Sequence, residues 1–164
     1  MPQIFIAHSS QDAWIVNPIG QNLRSIGVDS YVAEFDTPNP LSLHDMLTSA
    51  IQRSTAVFLI LTHNVVNKTE TRDFINWEIA TARAYNKPVY VFRERDVEVP
   101  ILISQIMVYF TFDPFDQSSL QEAMNRIIGV ASQLKEQEDK GKAAAVLIML
   151  FLGLGFFGAA FGKK

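Results

Sequence analysis

Ala56-Val57-Phe58-Leu59-Ile60-Leu61 is an unbroken apolar run rich in branched and aromatic side chains. A strand with one wet face would alternate with polar residues. A continuous run of this length is expected of a central parallel strand covered on both faces. Such a strand needs helices above and below it, and the flanking sequence supplies them. Upstream, Leu43, Leu47, Ala50 and Ile51 recur at helical spacing; downstream, residues 70–86 carry Ile75, Ile79 and Ala82 on one face.

Further out, the alternation continues. Residues 3–7 read as a short strand, followed by the polar turn His8-Ser9-Ser10-Gln11-Asp12. Ile15, Ile19, Leu23 and Ile26 mark a helix closed by Gly27, with Pro18 predicting either a kink or a start near Asn17. Residues 31–35 read as a second strand, and Asp36-Thr37-Pro38-Asn39-Pro40 as a loop. After the central strand come a strand at 89–92, another at 107–112 and a helix at 120–134. This order predicts a five-stranded parallel sheet with helices on both faces, formed by residues 1–134. Sites in such sheets lie beyond the carboxyl ends of the strands, here the loops at 8–12, 36–42 and 62–69.

Composition narrows the chemistry. The chain has 164 residues and a formal charge of −3, with no densely basic stretch, which argues against a nucleic-acid surface. It has no cysteine, so disulfides and thiolate chemistry are excluded. Its three histidines, His8, His44 and His63, lack metal-ligand spacing. Gly20 and Gly27 make no dinucleotide fingerprint.

Residues 135–142 are charged and broken by Gly141, and read as a linker or a frayed helix end. Residues 143–162 contain no charge, and as a helix they would span about 30 Å, the hydrocarbon thickness of a bilayer. A buried core helix is the alternative, but it would need a polar face that this segment lacks. Gly153, Gly155 and Gly158 offer small-residue spacing for pairing two such helices. Lys163 and Lys164 follow the segment, and no secretory signal opens the sequence. The expectation is a single-pass C-terminal anchor with the domain in the cytoplasm.

Four local patterns, taken with the element order, resemble the Toll/interleukin-1 receptor (TIR) domain of prokaryotic type, over residues 3–134. They are Ile4-Phe5-Ile6-Ala7-His8-Ser9-Ser10-Gln11-Asp12; the acidic, proline-rich loop Glu34-Phe35-Asp36-Thr37-Pro38-Asn39-Pro40 with the helix ending Ala50-Ile51-Gln52-Arg53-Ser54; the apolar strand at 57–61; and Trp77-Glu78-Ile79-Ala80-Thr81-Ala82 followed by Lys87-Pro88-Val89. There are departures. Ala7 stands where the family often has Ser, and the second loop lacks the usual Gly near Pro40. Phe74 occupies the place of the family's Trp, while Trp77 directly precedes Glu78.

The resemblance implies a flavodoxin-like TIR fold and one of two functions. Some members cleave NAD+ at its nicotinamide bond with a single glutamate, and others are non-catalytic adaptors that associate through their loops. On the first reading Glu78 is catalytic; His8, Ser9, Ser10, Phe35, Asp36, Phe74 and Trp77 bind substrate; and NAD+ is a substrate in an open cleft, with no cofactor held. The resemblance also implies activation by TIR-TIR self-association and a role as an immune or defence effector. Competing readings remain for each residue. Glu78 can be a helix-edge glutamate paired with Arg72 or Arg83, Ser9 and Ser10 can be local turn caps, and the aromatics can be core. A nucleoside deoxyribosyltransferase is a further alternative, since it too uses a carboxylate on a related sheet.

Overall fold

The computed structural model describes residues 1–33, 40–99 and 109–140. Five parallel strands, β1 (Gln3–Ala7), β2 (Asp29–Val32), β3 (Ala56–Leu61), β4 (Val89–Glu94) and β5 (Tyr109–Phe112), lie in the order β2-β1-β3-β4-β5. The helices are α1 (Ala13–Ser25), α2 (Pro40–Arg53), α3 (His63–Val66), α4 (Thr69–Ala84) and α5 (Gln117–Asp139), with a 3-10 turn at Ser10–Asp12. This is the five-stranded, doubly covered parallel sheet expected of the sequence.

β3 is the axis of the molecule. All six of its residues are buried, and it pairs with β1 on one side and β4 on the other. Because successive strand residues point to opposite faces, each strand divides its side chains between two cores. Ile4, Ile6, Phe58, Ile60, Tyr90 and Phe92 pack under α1 and α5. Phe5, Ala7, Val57, Leu59, Leu61 and Val91 pack under α2, α3 and α4. A period-2 pattern with apolar residues at every position yields two cores from one strand.

Two of the helices that turn back into strands, α1 and α4, end by the same device. At the end of α1, Gly27 adopts φ 75°, its N–H donates to Arg24 O (3.0 Å), and Val28 N–H donates to Leu23 O (3.0 Å). At the end of α4, Asn86 adopts φ 55°, its N–H donates to Arg83 O (3.0 Å), and Lys87 N–H donates to Ala82 O (2.8 Å). Both are left-handed C-terminal caps that satisfy orphan carbonyls, using the two residue types that tolerate positive φ best. At Gly27 a side chain would also collide with Lys135 Nζ, 2.7 Å from the position of a Cβ.

Several boundaries differ from those read in the sequence. α1 begins at Ala13 and runs through Pro18, rather than starting near Asn17. β2 is Asp29–Val32, displaced towards the N-terminus from 31–35. The helix α3 lies in what read as a loop. α5 continues past Leu134 to Asp139, because Lys135 Nζ donates to Ile26 O (2.9 Å) and Thr55 Oγ1 donates to Glu138 Oε2 (3.0 Å). Charged residues without an apolar stripe are here retained in the helix by two tertiary contacts. Among the described residues no helix is long and apolar enough to cross a membrane; residues 143–162 lie outside them.

Candidate functional site

The sheet order places the switch point between β1 and β3, where the chain leaves neighbouring strands in opposite directions and a crevice opens. In this molecule polar side chains sew that crevice together. Asp12, 1% exposed, accepts from Thr62 Oγ1 (2.6 Å) and from Asn64 Nδ2 (2.7 Å). His8, also buried, places Nδ1 3.0 Å from Ile6 O. Burial pushes the His8 imidazole below its ordinary pKa, opposed by the Ile6 carbonyl and the nearby Asp12 charge. Ser9 is buried and its Oγ accepts from Gln11 N–H (3.3 Å), the local capping role of a turn serine. Ser10 is exposed. At the end of β4, Glu94 accepts from His63 N–H (2.9 Å) and meets His63 Nδ1 at 3.1 Å, closing the first turn of α3.

Glu78 lies on α4. It is 1% exposed, and neither carboxyl oxygen has a hydrogen-bond partner among the described residues. Burial therefore raises its pKa well above the usual carboxylate range. The helix-edge alternative does not hold. Arg72 contacts Asp73 (3.9 Å), and no ion pair reaches Glu78 among the described residues. The sequence places Glu78 at the margin of the apolar stripe, whereas in the fold it is buried. Leu43, Leu47, Ala50 and Ile51 of α2 join Ile75, Ile79 and Ala82 of α4 in one core.

Above this core stands an aromatic wall. Phe74 and Trp77, both half-buried, have ring centroids 5.8 Å apart. A third ring joins them from α2: the His44 imidazole meets Trp77 edge-on at 4.3 Å and lies 5.7 Å from Phe74. No local pattern around His44 marks this role, since the contact depends on how α2 crosses α4. Phe74, Trp77 and Glu78 are thus brought together on one helix. His8 and Ser9 sit on the β1 loop, whose Ala7 borders the same core. Phe35 and Asp36 lie outside the described residues.

On the opposite face, α1 and α5 flank a groove of about 340 Å³ lined by Trp14, Pro18, Leu120 and Met124 among others. No ionisable side chain lines it, so it offers no acid, base or nucleophile. The chemistry of the described residues is on the α2/α4 side.

A doubly wound domain with an orphaned, buried carboxylate on the helix before β4 is the class these observations define. The family model for the TIR domain matches residues 4–128, most of the chain, and the protein belongs to that family. Among solved structures it is similar to the TIR domain of the Toll-related receptor TRR-2 of Hydra magnipapillata (17% identity, 75% of this chain and 91% of that one, TM-score 0.54). It is similar also to a CMP N-glycosidase of Clostridium botulinum (13% identity, 73% and 96%, TM-score 0.53). A third similar structure is a prokaryotic SEFIR domain (13% identity, 78% and 92%, TM-score 0.52). At these identities the likeness is one of fold. No curated protein matches.

Proposed function

We propose that this TIR domain cleaves NAD+ at the nicotinamide–ribose bond, with Glu78 as the reacting carboxylate. The observation that carries the reading is the Glu78 carboxyl itself, 1% exposed and without a hydrogen-bond partner among the described residues, beside Phe74 and Trp77. A stable fold does not gain from such a group, since desolvating an unpaired polar side chain costs about 1–3 kcal/mol. A reaction that develops positive charge does. Breaking an N-glycosidic bond gives the ribose oxocarbenium character, and a desolvated carboxylate stabilises that charge far better than one in water.

The proton balance is consistent with a single carboxylate. Nicotinamide departs neutral from a cationic pyridinium, so no strong general acid is required; water then adds at the ribose carbon, losing a proton, to give ADP-ribose, or the adenine attacks that carbon to give a cyclised product. The cationic ring also favours the ionised form of Glu78, offsetting the effect of burial when substrate is present. Phe74 and Trp77 supply planar surfaces for nicotinamide or adenine, and His8, Ser9, Ser10, Phe35 and Asp36 are assigned to the substrate rim. The CMP N-glycosidase named above acts, by its name, on an N-glycosidic bond, and the present fold is similar to its own.

The assignment extends to assembly and location. Self-association through TIR-TIR contacts activates the enzyme, in keeping with an immune or defence effector. Residues 143–162 form a single-pass anchor that keeps the domain in the cytoplasm and confines copies to two dimensions, which raises their effective concentration. A second reading, a non-catalytic TIR adaptor, draws on the same near-zero exposure of Glu78.

Mass spectrometry of NAD+ incubated with the full chain in membranes separates the two. The enzyme releases nicotinamide, and Glu78→Gln stops the release while leaving the fold intact. An adaptor leaves NAD+ untouched with either side chain, and that result removes the hydrolase reading. Cleavage of free nucleosides in preference to NAD+ would redirect the assignment to a nucleoside-processing enzyme.

A further inference from the structure

Glu78 cannot react where it stands, because at 1% exposure no substrate atom reaches it. Some element must withdraw, and α2 is a neighbour of α4 whose contacts with it are described. α2 is anchored to the core along its length by Leu43, Leu47, Ala50 and Ile51. It also reaches α4 through His44, a half-buried residue whose imidazole meets Trp77 edge-on at 4.3 Å and flanks Phe74 at 5.7 Å. Trp77 directly precedes Glu78, and Phe74 lies one helical turn before it. A planar ring from α2 therefore rests on the two aromatics that a planar base would need.

We propose that His44 is a positioning residue that acts as a latch: its ring holds the α2 end of the aromatic wall closed over Glu78, and an entering substrate base displaces it from Trp77. This rests on the reading of Glu78 as the reacting group. Aromatic contacts of this kind shift an equilibrium by roughly two- to tenfold. A site that is open only part of the time binds its substrate more weakly by that same fraction. Releasing the latch therefore acts on binding and leaves the bond-breaking step alone.

The test compares His44→Ala with His44→Phe, which keeps a planar ring, in the full chain. His44→Ala is expected to lower KM for NAD+ by roughly two- to tenfold with kcat unchanged, and His44→Phe to return KM towards the parent value. A second readout needs no activity. With Trp14→Phe removing the other of the two tryptophans, acrylamide quenching of fluorescence reports Trp77 alone. Quenching is expected to rise in His44→Ala and to fall back in His44→Phe.

If both variants are folded by circular dichroism and Trp77 is quenched equally in each, the latch is overturned. If His44→Ala does not fold, His44→Gln carries the same comparison. Should NAD+ remain uncleaved by every variant, the hydrolase reading fails, and the quenching experiment alone then decides the latch.

Discussion

Two carboxylates in this protein are equally buried and differently treated. Asp12 and Glu78 are each 1% exposed. Asp12 receives the Thr62 hydroxyl after β3 and the Asn64 amide of α3, at 2.6 and 2.7 Å. Glu78 receives nothing from the described residues. The first ties two loops into one rigid crest; the second is a group kept short of partners next to aromatic rings. Burial alone does not mark a functional residue. Burial with unmet hydrogen-bonding capacity is the feature that calls for an explanation.

The contrast predicts opposite responses to mutation. The largest effect is expected on catalysis: Glu78→Gln lowers nicotinamide release by about 100-fold or more, the scale on which an electrostatic stabiliser counts, whereas Asp12→Asn leaves release largely in place. Comparable losses of activity in two folded variants would erase the distinction.

Stability should show the reverse. Asp12→Ala strands the Thr62 hydroxyl and the Asn64 amide, costing about 2–4 kcal/mol in chemical denaturation. Glu78→Gln should cost nothing near pH 4 and be neutral to stabilising near pH 8. The sign follows from the raised pKa. Folded Glu78 holds its proton at pH values where the unfolded chain has released it, so its contribution is fully present below the unfolded carboxylate value. That contribution is lost as pH rises towards the folded value, and the glutamine variant should lack this slope. A parallel slope in both proteins would mean that Glu78 is ionised at no cost.

The smallest effect concerns the crest. Glu94→Ala removes the acceptor for His63 N–H at the start of α3, and a loss of about 1 kcal/mol in thermal denaturation is expected. No change would mean that Glu94 adds nothing to the cap.

The reach of the sequence differs between fold and site for a physical reason. The strand at 56–61 was legible because its covering on two faces is written in consecutive residues. Gly27 was legible as a stop because the left-handed turn is a local demand. α5 was legible only in its apolar part, since its last turn depends on Ile26 and Thr55, which are remote in the chain. The candidate site follows the same rule. Glu78 stood out through a family pattern of contiguous residues. Its full burial, the His44 contact with Trp77, and the clasp of Asp12 by Thr62, 50 residues away, arise where elements cross. No periodicity records such crossings.

One consequence follows from the direction of α5. The helix leaves the sheet at the carboxyl end of β5 and finishes beside Thr55, at the amino end of β3, so it traverses the domain from one pole to the other. The strand-end loops and the last described residue, Lys140, thus lie at opposite poles of the domain.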